Sequence, residues 1–264
     1  MKTIRIAFLT VGELAPTTGE KHGQLVGLFR GLFAQSQPTS SKETVQVVLD
    51  DFDVRNGIWP SPEDLDTYQA LIIPGSAACA FDDALPWLPQ LLAVIRSTYH
   101  NKPHIKLIGI CFGHQVIARA LGGKCVKNDK GWEIGVAEVT LSDAGKALFG
   151  QDTLRIQQMH RDHVPSVPNS QPFEVLGSTS VAPVQGLVNY YPGSKEIHVF
   201  TLQGHPEFSL GSDIVTRIID DRQANGVFDA QLADTSRKLA VQDSQGVTVV
   251  GGVLWRRVLG IDAA

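Results

Sequence analysis

Cysteine is scarce in this sequence, which has only 3 cysteines among 264 residues. Cys79, Cys111 and Cys125 are an odd number of cysteines, and no two of them have C-x-x-C spacing. This argues against both a framework of disulfide bonds and a zinc site built from thiolates. Free thiols persist in a reducing compartment, so the sequence predicts a cytoplasmic protein.

Long hydrophobic runs and clusters of positive charge are also missing. The stretch MKTIRIAFLTVGEL has a short apolar segment interrupted by Glu13, and it predicts a first strand better than a signal peptide. No run approaches the length needed to cross a membrane. The net charge is −4 and the basic residues do not cluster. We therefore expect neither a nucleic-acid partner nor a membrane partner.

The sequence does contain an alternation of apolar strands and amphipathic helices. Hydrophobic residues make up 43% of the chain, which is enough for one sizeable core. In the first half, strands are predicted at 4–10, 45–50, 69–76 and 105–110, helices at 23–35, 85–99 and 114–121, and a loop at 37–43. Strands that alternate with helices predict an α/β fold with a doubly wound, mostly parallel sheet.

The pattern changes after residue 135, where short strands are separated by Pro, Gly and Asn clusters. These strands are predicted at 136–141, 153–157, 174–177 and 197–202. They indicate an antiparallel or mixed flank beside the parallel sheet. Amphipathic helices are predicted at 210–224 and 227–240, followed by a closing helix over 246–261.

Cys111 lies where a predicted strand turns into a predicted helix, within IKLIGICFGHQVIARALGG. Gly109 and Gly113 flank it two positions away on each side, as in the nucleophile elbow G-x-S-x-G with sulfur in place of the hydroxyl. Glycine removes the Cβ atoms that would collide in such a tight turn. The first free N–H groups of the helix favour a thiolate there. The pattern predicts that Cys111 is a nucleophile.

A cysteine nucleophile needs a base, and His205 is the best placed of the eight histidines. It follows the predicted strand 197–202, and ligands of open α/β sheets bind at the carboxyl ends of strands. Pro206 favours an extended segment, in which His205 and Glu207 face the same side. Glu207 is then expected to hold one ring nitrogen protonated while the other faces sulfur.

Attack of sulfur on a carbonyl carbon develops an oxyanion, which needs preorganised donors worth about 3 kcal/mol each. The N–H of Phe112, directly after the nucleophile, is one candidate. The turn that ends the predicted strand 69–76 offers the backbone of Gly75 or Ser76 as the second. The four residues after it, Ala-Ala-Cys-Ala, are small enough to leave room for a leaving group larger than ammonia.

These motifs carry a family resemblance. GICFGHQ and QGHPEF together resemble the class I, triad-type glutamine amidotransferases, and the resemblance covers roughly residues 4–225. It implies one domain of that type over residues 1–264, with a flavodoxin-like sheet and a helical extension over 226–264. It also implies cleavage of a γ-glutamyl amide through a thioester, without a cofactor. Cys111 would be the nucleophile, His205 the base and acid, and Glu207 the third triad member.

Longer matches resemble a stand-alone eukaryotic subgroup that includes the plant γ-glutamyl peptidases and fungal amidotransferase-like proteins. They are GICFGHQVIARALGG, GWEIGVAEV and MHRDHV. The resemblance implies that Gln115 contacts the amino-acid end of the substrate and that His160 or Arg161 contacts a carboxylate. An ordinary first-turn helix position for Gln115 and a plain surface loop over 159–164 stay open as alternatives.

The sequence therefore predicts a cysteine-dependent hydrolase of γ-glutamyl amides, with glutamine, γ-glutamyl peptides or glutathione conjugates as substrates. No P-loop or acceptor domain is visible in the 264 residues, so released ammonia would have no built-in destination. Two alternatives stay open: the glutaminase subunit of a synthetase partner, and a binding module without activity. His160 and His163 lack a thiolate partner or an H-E-x-x-H helix, which argues against a metal centre.

Overall fold

Parallel strands form the centre of the fold, in a computed structural model that describes residues 2–38, 45–211 and 213–261. The strands are β1 (Lys2–Thr10), β2 (Val45–Asp53), β3 (Ala70–Ile73), β4 (Lys106–Ile110), β5 (Val126–Lys127), β6 (Glu133–Leu141), β7 (Thr153–His160), β8 (Asp162–His163), β9 (Glu174–Val175), β10 (Gly177–Ser178), β11 (Gly186–Tyr190) and β12 (Ile197–Leu202). The helices are α1 (Pro16–His22), α2 (Gln24–Gln35), α3 (Pro62–Leu65), α4 (Leu88–Asn101), α5 (Phe112–Ala120), α6 (Asp143–Phe149), α7 (Ile214–Ala224) and α8 (Ala230–Ala240).

The central sheet has the strand order β2-β1-β3-β4-β12-β11-β9. The strands from β2 to β12 in this order run parallel, whereas β11 and β9 are antiparallel to their neighbours. A second, antiparallel sheet has the order β10-β6-β7, and β5 pairs with β8. This confirms the predicted α/β fold with a doubly wound, mostly parallel sheet and an antiparallel flank.

Hydrophobic side chains cover both faces of the central sheet. Ile6 and Phe8 of β1 belong to a cluster that includes α2 side chains, whereas Leu9 and Val11 belong to a cluster that includes Phe112 of α5. Successive side chains of a strand point to opposite faces, which separates the two clusters. Each fully buried side chain of this size contributes about 1.5–3 kcal/mol. Burial on both faces explains the continuous apolar runs of β3 and β4.

Several expected elements differ from the observed ones. The strand Ile197–Leu202 was expected in the flank, but it pairs with β4 inside the central sheet. The strand Gly186–Tyr190 was not expected, because it is short and lacks a clear alternation of polar and apolar residues. The expected helix over 23–35 begins at Gln24, since Gly23 has φ +71° and separates α1 from α2. Of the expected loop over 37–43, residues 39–43 lie outside the described residues.

The closing segment forms two π-helical turns, Gly246–Gly251 and Leu254–Val258, rather than one regular helix. Trp255 Nε1 donates to the Phe33 carbonyl oxygen at 3.0 Å. A Cβ on Gly246 would lie 2.3 Å from the Pro206 carbonyl oxygen, so this segment packs closely on the turn that follows β12. In the described part of the chain, no helix combines the length and the hydropathy needed to cross a membrane.

Candidate active site

Cys111 occupies a strained turn between β4 and α5. Its φ and ψ are 53° and −103°, a region that non-glycine residues rarely adopt and that costs about 1–3 kcal/mol. The turn is held because the Cys111 N–H donates to the Leu202 carbonyl oxygen at 2.8 Å. A Cβ on Gly113 would lie 1.9 Å from the Ile73 carbonyl oxygen, and one on Gly109 would lie 2.6 Å from the Gly113 backbone. Both glycines of the G-x-C-x-G motif are therefore required by packing.

His205 and Glu207 form a buried ion pair directly after β12. His205 Nδ1 lies 2.7 Å from Glu207 Oε1, and the His205 ring stacks on Phe208 with centroids 4.1 Å apart. The expected extended segment is wrong in part, because only His205 is extended and Pro206–Leu210 is a 3₁₀ turn. Proline is favoured at the first position of a helical turn, where its missing N–H costs nothing. The 3₁₀ turn still brings the Glu207 carboxylate to the ring.

The imidazole of His205 and the side chain of Cys111 line the same cavity. Burial alone would lower the pKa of His205, but the charges of Glu207 and Cys111 and the Glu207 hydrogen bond outweigh it and raise that pKa above its ordinary value. The ring is therefore held as an imidazolium at neutral pH. An imidazolium at this position is able to donate a proton to a leaving group.

The other two cysteines have a different environment. Burial raises the pKa of Cys79 to about 11, and the negative charge of Asp162 adds to this shift. Burial also raises the pKa of Cys125 far above its ordinary value. At neutral pH both side chains are thiols, which are poor nucleophiles.

The turn at Gly75 and Ser76 lies against His205. A Cβ on Gly75 would lie 2.7 Å from His205 Cε1, so only glycine fits beside the ring. Ser76 Oγ donates to the Val11 carbonyl oxygen at 2.6 Å and accepts from the Ala78 N–H at 3.1 Å. In the described ranges, the N–H groups of Phe112, Gly75 and Ser76 donate to no protein acceptor. These three backbone donors are thus free: Phe112 is next to Cys111 in the chain, and Gly75 and Ser76 line the same cavity as Cys111.

These groups open into a cavity of about 250 Å³. Its lining includes Gly75, Ser76, Cys111 and His205, together with residues of the 12–15 segment and of α7. Ala77, one of the small residues after the turn, also lines it. Neighbouring carboxyl ends of β1, β3, β4 and β12 bring these segments to one edge of the sheet.

The residues expected to bind the substrate lie outside this lining. Gln115 is buried, and its Nε2 donates to the Asp162 carbonyl oxygen at 2.8 Å and to Gln203 Oε1 at 3.2 Å. His160 is also buried, with Nε2 at 2.9 Å from Glu133 Oε2 and Nδ1 at 3.1 Å from the same Asp162 carbonyl oxygen. Their roles toward a substrate stay predictions.

The Arg161 guanidinium lies over the Trp132 ring, 5.3 Å from its centroid. Arg161 Nε and Asp162 Oδ1 are buried and have no hydrogen-bond partner among the described residues. The structure therefore brings together Cys111, His205 and Glu207 with the three backbone donors. It places Gln115, His160 and Arg161 in or beside a neighbouring polar network.

Sequence reasoning missed two members of that network and one wall of the cavity. Glu133 lies inside the quoted motif GWEIGVAEV and Gln203 inside QGHPEF, and a charged or amide residue at a strand position was the available signal. The missed wall is the face of α7 that carries Asp221, Arg222 and Asn225. There the signal was polar residues that interrupt the apolar face of an amphipathic helix.

The family model for glutamine amidotransferase class-I matches residues 40–220. The chain belongs to the class I glutamine amidotransferase family. An amidotransferase-like protein of Schizosaccharomyces pombe is 37% identical over 180 residues, which cover 68% of each chain. Gamma-glutamyl peptidase 3 of Arabidopsis thaliana is 33% identical over 193 residues, which cover 70% of this chain and 72% of that one.

Solved structures of glutamine amidotransferases have a similar fold. The crystal structure of a glutamine amidotransferase from Thermotoga maritima has a TM-score of 0.68 and 20% identity, and the match covers 97% of this chain and 98% of that chain. This confirms the expected amidotransferase-like fold. The protein is an enzyme of the glutamine amidotransferase-like hydrolase type.

Proposed function

We propose that this amidotransferase hydrolyses γ-glutamyl amide bonds through a glutamyl thioester on Cys111. One observation carries the proposal: a strained cysteine, a histidine that is paired with a buried carboxylate, and the Gly75–Ser76 turn with its free N–H groups line one cavity. The relatives named gamma-glutamyl peptidase support this substrate class. The close packing of the closing segment on the 206–210 turn supports the proposal that residues 1–264 act as one domain.

In the first half-reaction, Cys111 Sγ attacks the γ-carbonyl carbon of the substrate. The oxyanion is stabilised by the N–H of Phe112 and by that of Gly75 or Ser76. His205 donates its proton to the leaving nitrogen, the C–N bond breaks, and an amine or ammonia leaves. The glutamyl group stays on sulfur as a thioester.

In the second half-reaction, neutral His205 takes a proton from water, which attacks the thioester carbon. A second oxyanion forms in the same place and the C–S bond breaks. Glutamate leaves, and the thiolate and imidazolium are restored. Glu207 keeps Nδ1 protonated throughout, which aims the other ring nitrogen at sulfur and at the leaving group.

The polar network beside the cysteine is proposed to hold the glutamyl head group. Arg161 Nε and Asp162 Oδ1 lie 3.8 Å apart as an ion pair, and neither makes a hydrogen bond in the described chain, so a ligand can supply hydrogen bonds to both. Gln115 and His160 both bond the Asp162 carbonyl oxygen and thereby fix the 159–164 loop. A contact from Arg161 to the substrate carboxylate fits this arrangement.

The test is release of glutamate from glutamine, γ-glutamyl dipeptides, glutathione and a glutathione S-conjugate. We expect the purified chain to hydrolyse at least one of them and the Cys111→Ala variant to hydrolyse none. Cys79→Ala is the matched control, since its thiol lies outside the cavity lining, and it should retain activity. Equal glutamate release by wild type and Cys111→Ala would end the proposal.

The same assay separates the alternatives. Glutaminase activity that emerges only with a copurifying ATP-dependent synthetase would favour a subunit that supplies ammonia. No turnover of any substrate, with or without such a partner, would favour a binding module.

A further inference from the structure

The cavity lies beside both Cys111 and His205, which line it together. His205 must reach the leaving nitrogen to protonate it, so the leaving group has to occupy space beside the His205 ring. The cavity provides that space, because its lining includes His205 together with Phe208, which stacks on the ring. Gln115 and Arg161, proposed for the glutamyl side, do not line it.

This space is far larger than ammonia requires. A molecule the size of water needs about 10–15 Å³ of such a cavity. The observed volume of about 250 Å³ is more than ten times greater. Its size and partly apolar walls, which include Leu14, Phe208 and Val227, fit an organic amine rather than ammonia.

One face of α7 forms the polar part of the cavity wall. Ile218, Asp221, Arg222 and Asn225 follow at intervals of three and four residues and therefore lie on the same side of the helix. Along this wall, the apolar side chain of Ile218 is followed by the charged and amide groups of Asp221, Arg222 and Asn225. An occupant that matches it has an apolar body and a charged end.

Arg222 is a positive charge in this wall, and neither it nor the neighbouring Asp221 has an ion-pair partner among the described residues. Glu13 is paired with Arg55, whose guanidinium lies 2.7 Å from its carboxylate. Asp221 Oδ1 accepts from Asn225 Nδ2 at 3.3 Å. Within the described ranges, the half-buried Arg222 guanidinium makes no ion pair and no side-chain hydrogen bond, although it lines the cavity. A planar guanidinium binds a carboxylate through two parallel hydrogen bonds.

We infer that Arg222 binds a carboxylate on the leaving group, so that the preferred substrates are γ-glutamyl peptides with a free carboxyl terminus. This inference rests on the proposed γ-glutamyl hydrolase activity. It assigns Arg222 as a residue that determines specificity, and it separates γ-glutamyl peptides from glutamine and from γ-glutamyl amides without a negative charge.

The test compares one γ-glutamyl dipeptide or tripeptide with the same peptide carrying a carboxyl-terminal amide. We expect wild-type kcat/KM to be at least about tenfold higher for the free acid, the size typical of a charge-assisted hydrogen bond. Arg222→Gln should bring the acid-to-amide ratio close to one, and Arg222→Lys should retain part of the preference. Arg96→Gln, an equivalent change on the exposed side of α4, should keep the wild-type ratio.

The ratio is internal to each variant, so a change in folding or expression does not alter it. A wild-type ratio near one, or a ratio that survives in Arg222→Gln, would overturn the assignment while leaving γ-glutamyl hydrolysis intact. If the wild type cleaves neither peptide nor any other γ-glutamyl amide, the proposed function and this inference fail together.

Discussion

Among the residues that the structure describes, two histidine–carboxylate pairs are buried, and one of them lies beside Cys111. In the first, His205 Nδ1 bonds Glu207, and the ring lines the same cavity as Cys111. In the second, His160 Nε2 bonds Glu133, and Nδ1 faces a backbone carbonyl oxygen. Both ring nitrogens of His160 are therefore occupied by protein acceptors, whereas one nitrogen of His205 is left for chemistry.

The carboxylates differ in the same way. Glu133 Oε2 accepts from His160 at 2.9 Å and from Gln185 Nε2 at 2.7 Å. Glu207 is fully buried, and its Oε2 has no partner among the described residues. An unsatisfied buried carboxylate is costly, so the His205–Glu207 pair is retained at the expense of stability. The same type of pair can thus serve catalysis or stability, depending on which of its polar atoms lack a hydrogen-bond partner in the protein.

The largest expected effect is the loss of activity when the histidine of each pair is replaced. We expect His205→Ala to lower kcat/KM for γ-glutamyl amides by at least about 10³-fold, because the proton donor and the charge beside sulfur are both lost. His160→Ala should lower kcat by no more than about tenfold, because that ring acts through the 159–164 loop. Glutamate release measures both, and losses of equal size in kcat would contradict the distinction.

A smaller effect is expected in the pH dependence of the carboxylate variants. The negative charge of Glu207 helps to raise the pKa of His205, so Glu207→Gln should lower it. His205 must be protonated to serve as the acid, and activity is lost as pH rises through its pKa. The alkaline limb of the kcat/KM profile should therefore move to lower pH by at least about one unit.

Glu133→Gln is the matched control for that shift, because it makes the same chemical change in the other pair. Its alkaline limb should coincide with that of the wild type. An unmoved limb in Glu207→Gln, measured between about pH 6 and 10, would show that Glu207 does not set the protonation of His205.

The smallest expected effect concerns the free energy of unfolding. Here we expect the Glu133 variant to lose more than the Glu207 variant. Glu133→Gln should lower the free energy of unfolding by about 1.5–3 kcal/mol at pH 7, because it weakens charge-assisted bonds from two donors. Burial alone would raise the pKa of Glu133, but the His160 hydrogen bond and charge keep it below its ordinary value. This contribution is present above the ordinary pKa of glutamate, about 4.3, and is lost as pH falls through the lower folded value.

Urea denaturation at neutral and acidic pH measures this contribution. Glu207→Gln should lose less stability than Glu133→Gln, because it removes a buried charge that is only partly satisfied. A larger loss in Glu207→Gln would reverse the assignment of the two pairs.

Much of the fold and part of the site follow from local sequence. Apolar runs covered on both faces predict parallel strands, and β1, β3, β4 and β12 lie close to their expected positions. The exceptions have local reasons: β11 is short and has a weak pattern, and Pro206 starts a 3₁₀ turn where an extended segment was expected. The network around Gln115 was not foreseen, because its partners come from several distant segments.

The sequence by itself determined the turn at Cys111 and the pairing of His205 with Glu207. Both follow from spacing along the chain: the G-x-C-x-G motif indicates a tight turn, and a spacing of two residues brings a carboxylate to a ring. The atom that excludes a Cβ at Gly113 comes from Ile73 of β3 and is set by tertiary packing. The tertiary structure alone decided that the cysteine meets the histidine, because β12 pairs with β4 and aligns Leu202 with Ile110. The tertiary structure also decided which polar atoms of the two histidine–carboxylate pairs have no hydrogen-bond partner in the protein. Partners from remote segments are set by packing and not by the local sequence pattern.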